Sequence, residues 1–490
     1  MKFEHEATNE IIKWFTEITK IPRCSKHEDK IRTWLLNWAQ QHHFQTRTDK
    51  VGNIVIKVPA SPGYEAAPIV VLQGHMDMVC EKTPESTHDF SKDAIKLVFD
   101  GDWLKADGTT LGADNGIAIA MAMTAALDQK IQHPPLELLF TVDEETGLTG
   151  ANALEPGFIE GKILINLDSE DEGVFTVGCA GGVNTKIDLP LAFEKIPATY
   201  KPYKLQAGGM KGGHSGVNIK EERANAIKVL ARVLDLLQSK VNLRLADFSG
   251  GRAHNAIPRD CEAVIFIQPK DETECKQAIA EMEHILKNEF KNTDPDLKLI
   301  FDPVTDSKFQ QAITPKDAQR LIDLILALPH GVAAMSTDIP GLVETSNNVA
   351  NIKIENQTAK LLSSQRSSVV SRLKAHTNRI EAIARLAGGT AASGDGYPPW
   401  PPKMDSPLLD KSKKLYQRLF HKEPVVEVIH AGLECGIIGD RNPGMDMISI
   451  GPDLKNPHSP DEKIKISAIG KVWDFLVALL KELKTAQAMA

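Results

Sequence analysis

Several short apolar runs in this sequence end directly in histidine or acidic residues. Three of these pairings are 69–73 with His75 and Asp77, 136–142 with Asp143, Glu144 and Glu145, and 163–167 with Asp168. Helical patterns separate the apolar runs, and such alternation predicts an α/β fold. Because ligand sites in open α/β sheets lie at the carboxyl ends of strands, we expect these polar side chains at one edge of one sheet.

Two further segments carry candidate ligands in the same way. Asp114 lies in the glycine-rich segment GTTLGADNG, at or next to the start of a predicted helix, and His458 follows a strand-like run through a loop with prolines. Each segment alone has an ordinary structural explanation, since aspartate caps helices well. Together, the five segments favour a site for two zinc-like ions, because their ligands are imidazoles and carboxylates without cysteine.

The length of the chain predicts more than one domain. At 490 residues it exceeds the size of about 250 to 300 residues at which single hydrophobic cores usually stop growing. A glycine-rich break at 178–183 begins a stretch with α+β patterning, and a glycine- and proline-rich segment at 388–403 ends it. We predict a core in two parts, 1–182 and 396–490, interrupted by an inserted domain at 183–395.

Within this outline the hydrophobic patterns predict individual elements. In the insertion, strands are expected at 185–189, 203–207 and 263–268, with helices beginning near Glu221 and Asp271. After the insertion, the patterns predict a helix at 407–420, strands at 425–429 and 446–450, and a final helix at about 467–483.

Charge and composition exclude several classes of protein. With 57 basic and 65 acidic side chains and a net charge of −8, the chain has no general attraction to nucleic acid. Its first residues lack the pattern of a secretory signal, and no apolar run approaches the roughly 20 residues that span a bilayer. The six cysteines form no CxxC pair, so we expect neither a disulfide framework nor a thiolate zinc site. We predict a cytoplasmic protein without nucleic-acid or membrane partners.

Six motifs, in this order, resemble those of the M20 metallopeptidases, and of their Xaa-His dipeptidase branch in particular: GHMDMV, GADNG, DEETG, NLDSE, GGHSG and HSPDE. The resemblance covers nearly the whole chain. It implies a mixed-sheet, dizinc aminopeptidase-like core with an inserted α+β lid and dimerisation domain. It also implies that His75 and Asp168 hold one zinc ion, that Glu145 and His458 hold the other, and that Asp114 bridges them. Cobalt or manganese are possible substitutes.

The resemblance assigns further roles. Glu144 is implied to be the general base, and Asp77 to orient His75. His214 is implied to reach the carbonyl oxygen of the substrate, usually in the neighbouring subunit of a homodimer. Substrate contacts are implied for Asn255, Arg366 and Gly432, and an arginine suits this role because guanidinium can bind a carboxylate bidentately. A cis peptide bond is implied between Asp114 and Asn115.

These assignments predict a metal-dependent dipeptidase that hydrolyses unblocked dipeptides, including Xaa-His dipeptides such as carnosine. Water shared by two divalent cations loses a proton more readily, and Glu144 can accept that proton and pass it to the leaving amine. An M20-type hydrolase that removes an acyl group from an amino acid would share the metal site, but the length of the insertion favours the dipeptidase. A catalytically silent binding module would have lost ligands or the base, and all of them remain.

Overall fold

The computed structural model describes residues 3–305, 307–337 and 339–484. The chain divides into two compact units. Unit 1 comprises Met1–Cys179, Trp400–Val428 and Leu433–Ala490, and unit 2 comprises Ala180–Pro399 and Ile429–Gly432. None of the helices in the described ranges has the length and apolar character needed to cross a membrane.

The first stretch of unit 1 alternates helices with strands, as its hydrophobic patterns predict. Its helices are α1 (Glu6–Ile18), α2 (Asp29–Gln41), α3 (Ala113–Leu127), α4 (Glu144–Gly147) and α5 (Thr149–Ala153). Its strands are β1 (Gln45–Thr48), β2 (Ile54–Val58), β3 (Val70–His75), β4 (Leu97–Asp100), β5 (Trp103–Ala106), β6 (Leu136–Thr141), β7 (Ile163–Asn166) and β8 (Val174–Cys179).

Unit 2 follows with longer strands and amphipathic helices. Its strands are β9 (Gly181–Pro190), β10 (Phe193–Lys195), β11 (Lys201–Gly208), β12 (Gly213–His214), β13 (Arg244–Gly250), β14 (Ala256–Ile257), β15 (Cys261–Ile267), β16 (Lys298–Pro303), β17 (Gln311–Ile313), β18 (Gly331–Met335), β19 (Val343–Glu355), β20 (Thr358–Ser367) and β21 (Thr390–Ser393). Its helices are α6 (Ala226–Lys240), α7 (Glu272–Glu289), α8 (Pro315–Ala327) and α9 (Val370–Leu386).

The last part of the chain returns to α/β patterning. Its elements are α10 (Pro407–Phe420), β22 (Val425–Ile429), α11 (Glu434–Arg441), β23 (Asp446–Ser449), β24 (Leu454–Lys455), β25 (Lys463–Lys465) and α12 (Ile466–Glu482). Together with β4 and β5, the strands β24 and β25 form a small sheet.

The main sheet of unit 1 is mixed, which confirms the predicted α/β class. Among the described residues its strand order is β1-β2-β6-β3-β7-β23-β8-β22. The central strands β6, β3, β7 and β23 run parallel, whereas β2 is antiparallel to β6 and β8 to β23. Every residue of β3, β6 and β7 is buried, as expected for parallel strands that are covered on both faces. The carboxyl ends of the parallel strands therefore lie along one edge.

The main sheet of unit 2 is antiparallel. Its strand order among the described residues is β16-β11-β15-β13-β19-β20-β9-β21, and β18 also pairs with β19. Buried positions in β11 alternate with more exposed ones, which is the period expected when one face of a strand packs against helices. The core there includes Ile227 and Leu234 of α6, and Leu321 of α8.

One helix of unit 2 begins later than predicted. The sequence pattern placed its start near Glu221, but α6 begins at Ala226. The side chain of Asn225 accepts hydrogen bonds from the backbone N–H groups of Ile227 and Lys228. This N-cap fixes the first turn, since it satisfies donors that have no partner within the helix.

A disulfide joins Cys24 to Cys80, which corrects the expectation that the cysteines form no disulfide framework. The two Cα atoms are 5.7 Å apart although the residues are 56 positions apart in sequence. Hydrogen bonds from Met78 N–H to the Arg23 carbonyl and from Ser25 N–H to the Met78 carbonyl bring the two loops together. Cys179, Cys261, Cys275 and Cys435 are buried cysteines outside this disulfide.

We predict that thiol titration of the protein denatured without reductant detects only the four cysteines outside the Cys24–Cys80 disulfide. Prior reduction should raise the count by two, because it opens the Cys24–Cys80 bond. Cys24→Ser is the matched control: it should release the Cys80 thiol and raise the unreduced count by one. Equal counts with and without reductant would show that the bond is absent in solution.

Candidate metal centre

The carboxyl edge of the parallel strands in unit 1 carries most of the predicted ligands. His75 ends β3, and Glu144 and Glu145 begin α4 directly after β6. Asp168 follows β7 by two residues. Because β6, β3 and β7 are parallel neighbours, these side chains emerge side by side. Distant parts of the sequence thus form one polar cluster.

Asp114 lies between the two histidines of this cluster. One carboxylate oxygen is 2.9 Å from His75 Nε2, and the other is 3.2 Å from His458 Nε2. His458 Nε2 is also 2.9 Å from Glu145 Oε2, and His75 Nε2 is 3.5 Å from Asp168 Oδ1. The carboxylate of Asp114 therefore presents one oxygen to each histidine and its neighbouring acid, which is the arrangement a bridging ligand requires.

The electrostatics of this cluster fit divalent cations. Burial raises the pKa of Asp168 to about 6 and also raises that of Glu145. Hydrogen bonds to Asp114 and Glu145 raise the pKa of His458 to about 11. Clustered buried carboxylates repel one another unless positive charge compensates them, and ligand atoms of His75, Asp114 and Glu145 lie within 4.8 Å of one another. Such a set of nitrogen and oxygen donors suits zinc-like ions.

Asp77 couples the orientation of His75 to the backbone of α4. Its Oδ1 is 3.3 Å from His75 Nδ1. Its carboxylate also accepts the backbone N–H groups of Glu144 at 3.0 Å and of Glu145 at 3.3 Å. Burial opposes ionisation of Asp77, but the interactions with His75 and these N–H groups lower its pKa to about 2. An ionised Asp77 directs His75 Nε2 towards Asp114, as expected of a carboxylate behind a metal-binding imidazole.

Glu144 lies in the same cluster with a perturbed pKa. Desolvation, together with the nearby carboxylates of Asp168 and Glu145, raises the pKa of Glu144 well above its usual value, although the charge of His75 opposes this. A carboxyl group that holds its proton more tightly is better suited to proton transfer near neutral pH.

Glu462, which the sequence analysis missed, holds the loop that carries Asp114. Its buried carboxylate accepts four backbone hydrogen bonds, from Leu111 at 2.8 Å, Gly112 at 2.9 Å, Ala113 at 2.8 Å and Asp114 at 3.2 Å. A carboxylate is the natural partner of the N–H groups at a helix start, which have no partner within the helix. The motif HSPDE contains Glu462, but only its histidine was recognised as functional.

Arg23 was also missed, and it ties two ligand loops together. Its buried guanidinium donates to the Met76 and Asp77 carbonyl oxygens at 3.1 and 2.8 Å, and to the Gly112 carbonyl oxygen. Gly112 has φ +71°, and a Cβ atom there would lie 2.5 Å from Arg23 Nη2. Only glycine fits this close approach. Burial lowers the pKa of Arg23 to about 10, which leaves it charged at neutral pH.

Asn115 connects the ligand loops on another side. Its side chain accepts the His75 backbone N–H at 3.2 Å and donates to the Leu167 carbonyl oxygen at 3.1 Å. The Asp114–Asn115 peptide bond is cis, as the family resemblance implies. The loops after β3 and β7 and the start of α3 are thus linked through one side chain.

The remaining candidate residues, His214, Asn255, Arg366 and Gly432, all belong to unit 2. His214 Nδ1 accepts the backbone N–H groups of Gly216 at 3.3 Å and Val217 at 3.1 Å. Burial, aided by the charge of Arg366, lowers the pKa of His214 to about 4. The imidazole is therefore neutral, and since Nδ1 accepts, Nε2 carries the proton.

Asn255 lies beside the His214 loop, since its carbonyl oxygen accepts the Ser215 N–H at 2.8 Å. Arg366 belongs to β20 and donates to the hydroxyl of Tyr397 at 2.6 Å. Gly432 packs against Tyr397, because a Cβ atom at this glycine would lie 2.7 Å from the ring. Arg366 and Gly432 thus meet at one tyrosine that the sequence analysis did not select.

Comparison with known proteins identifies relatives of this chain. Residues 71–482 match the profile of peptidase family M20/M25/M40. The sequence is 40% identical over 469 residues, 96% of each chain, to the cytosol non-specific dipeptidase of Escherichia coli (strain K12). The structure is similar to that of aminoacylhistidine dipeptidase from Vibrio alginolyticus, with 38% identity, a TM-score of 0.87 and coverage of 98% and 97%. The aminopeptidase PepT from Bacillus cereus has a similar fold, with 16% identity, a TM-score of 0.56 and coverage of 98% and 99%.

We predict that Glu462→Gln weakens zinc binding by about 10- to 100-fold, the usual effect of losing a group that supports a ligand. An amide has one acceptor oxygen, and its NH₂ group would face N–H donors of the Asp114 loop. Affinity is measured by competition with a chelator. Asp461→Asn, the same change at the exposed neighbouring residue, should bind zinc as the unmodified protein does. Unchanged affinity in Glu462→Gln would contradict the role given to this carboxylate.

Proposed function

Because this chain belongs to peptidase family M20/M25/M40, we propose that it hydrolyses unblocked dipeptides, including Xaa-His dipeptides such as carnosine, at a pair of zinc ions. It is a metal-dependent dipeptidase of that family. The observation that carries the proposal is Asp114, whose two oxygens lie 2.9 and 3.2 Å from the imidazole nitrogens of His75 and His458.

The proposed metal ligands divide into two sets around Asp114. His75 and Asp168 would hold one zinc ion, Glu145 and His458 would hold the other, and Asp114 would bridge them. Cobalt or manganese would fit the same nitrogen and oxygen donors. When bound, the pair would lower the pKa of a shared water and polarise the scissile carbonyl group.

The proposed proton transfers belong to Glu144. Its carboxylate takes a proton from the attacking water and delivers it to the nitrogen of the leaving amine. The raised pKa of Glu144 supports this second step, because the protonated form persists closer to neutral pH. Asp77 keeps His75 oriented during the reaction. His214 would donate a hydrogen bond from its Nε2–H group to the oxygen that becomes negative in the transition state.

We assign substrate binding and assembly to unit 2. It would be the lid and dimerisation domain of a homodimer, with Asn255, Arg366 and Gly432 contacting the substrate. The bound substrate is a small dipeptide. A cytoplasmic location is proposed because the Escherichia coli relative is named a cytosol dipeptidase.

The test of this function is an activity screen of zinc-reconstituted protein. We expect release of free amino acids from carnosine, from other Xaa-His dipeptides and from unrelated dipeptides. N-acyl amino acids are the contrasting substrates. Rapid hydrolysis of N-acyl amino acids with no cleavage of dipeptides would replace the dipeptidase by an amide hydrolase with the same metal site. The same screen with cobalt- and manganese-reconstituted protein compares the activities that the three metals support.

We predict that Glu144→Gln lowers kcat by about 100-fold or more while zinc content stays near that of the unmodified protein. The amide keeps the shape of the side chain and cannot accept the proton. Glu145→Gln is the matched comparison at the adjacent residue, and it should lower zinc content because it removes a ligand. Metal analysis and steady-state kinetics distinguish the two. Normal turnover in a zinc-loaded Glu144→Gln enzyme would exclude Glu144 as the base.

The same variant tests the assignment of His214 to the neighbouring subunit. Co-expression of Glu144→Gln chains with His214→Ala chains creates mixed dimers in which one site has both residues intact. Activity should return in purified mixed dimers and in neither parent. Mixed dimers without recovered activity would place the action of His214 within its own subunit.

A further inference from the structure

Arg366 is a buried cation without an acidic partner in the described part of the chain. Its side chain belongs to β20, and the residue is 6% exposed. Its Nη1 donates to the hydroxyl oxygen of Tyr397, and its Nε is buried without a hydrogen-bond partner among the described residues. A buried charge is unfavourable unless an opposite charge compensates it. The guanidinium is therefore suited to an anionic ligand.

The side chains around Arg366 on two sides carry no negative charge that could replace an anionic ligand. Burial lowers the pKa of His430 to about 3, and the charge of Arg366 adds to this effect. His430 Nε2 is 2.7 Å from the hydroxyl of Ser346, which lies opposite Arg366 on β19. His214 is neutral for similar reasons. Arg366 therefore has two neutral imidazoles, those of His430 and His214, as neighbours. Neutral imidazoles neither neutralise its charge nor repel a carboxylate.

The side chain of Tyr397 passes over Gly182 and places its hydroxyl oxygen beside Arg366 Nη1. Gly182 on β9 is the residue opposite Arg366, and a Cβ atom at Gly182 would lie 2.6 Å from the Tyr397 hydroxyl oxygen. The backbones of Gly182 and Tyr397 exchange hydrogen bonds of 3.0 and 2.9 Å. On the other side, a Cβ atom at Gly432 would lie 2.7 Å from the ring. The ring is held in a slot between two glycines, which fixes its hydroxyl beside Nη1.

We propose that Tyr397 is the positioning residue that holds the Arg366 guanidinium in the orientation that binds the C-terminal carboxylate of the substrate. This inference rests on the proposed dipeptidase function. Guanidinium binds a carboxylate through two parallel N–H groups only when its plane is correctly set. The hydrogen bond to Tyr397 sets that plane before the substrate arrives, which reduces the ordering required on binding. Tyr397 thereby makes the enzyme selective for dipeptides with a free carboxylate.

The test compares a dipeptide with its C-terminal amide. Tyr397→Phe keeps the ring in its slot and removes the hydroxyl. The quantity of interest is kcat/KM for the dipeptide divided by kcat/KM for its amide. We expect this ratio to fall about tenfold, mainly because the KM of the dipeptide rises. A tenfold change is the size of effect expected for one charge-assisted hydrogen bond. A general structural defect would lower both activities together and leave the ratio unchanged, and that outcome would overturn the inference.

Two further variants sharpen the comparison. Tyr203→Phe removes a hydroxyl that donates to Glu272 at 2.7 Å elsewhere in unit 2, so its ratio should equal that of the unmodified enzyme. Arg366→Lys should lower the ratio as well, and adding Tyr397→Phe to it should have little further effect, because the tyrosine acts through the arginine. Independent, multiplying effects of the two substitutions would also overturn the inference.

A measurement of ligand binding tests the role of Tyr397 independently of the proposed dipeptidase activity. If the unmodified enzyme cleaves neither compound, the dipeptidase proposal fails. The affinities of the metal-free protein for the dipeptide and its amide, measured by ligand-observed NMR, still test Tyr397. The ratio of the affinity for the dipeptide to the affinity for its amide should fall about tenfold in Tyr397→Phe. An unchanged affinity ratio would overturn the inference.

Discussion

Repulsion between carboxylates at the edge of one sheet is the constraint on which unit 1 depends. Asp114, Glu144, Glu145 and Asp168 meet where little water reaches them, and burial raises the pKa of three of them. Such a cluster is stable only with compensating positive charge. Paired divalent cations would supply that charge, and burial together with the neighbouring carboxylates raises the pKa of Glu144. In the proposed mechanism, the arrangement that destabilises the metal-free edge is therefore the one that suits it to hydrolysis.

The groups that hold this edge together lie behind the ligands. Glu462 accepts the N–H groups at the start of α3, Arg23 joins the loops of Gly112 and Asp77, and Asp77 orients His75. These side chains use backbone groups as partners, so they fix loop positions. A change in any of them would be transmitted to the proposed metal ligands through the positions of these loops. The Cys24–Cys80 bond lies next to Arg23 and three residues beyond Asp77, within the same loops.

Unit 2 contains a buried positive charge, whereas unit 1 contains clustered negative charges. Arg366 is a buried cation among neutral side chains, and Tyr397 holds it through a hydrogen bond that passes over Gly182. Glycines are required there because any side chain would occupy the space of the tyrosine ring. A dipeptide carries the carboxylate that Arg366 lacks. The proposed specificity of this unit thus rests on a buried cation without an acidic partner among the described residues and on glycine at positions 182 and 432.

The sequence by itself determined the α/β core with its buried strands and the family, and it predicted the ligand types that follow those strands. These are local signals, because a short apolar run bounded by turn residues is typical of a buried strand. Only the tertiary structure decided which groups support the ligands. Glu462 is 351 positions from Leu111 and Arg23 is 89 from Gly112, so no periodicity or spacing marks these pairs. The start of α6 at Ala226 follows from a local cap by Asn225 that the hydrophobic pattern does not show. The Cys24–Cys80 pair, by contrast, was decided by a contact that forms only once two loops meet, because a disulfide depends on geometry that residue type alone does not specify.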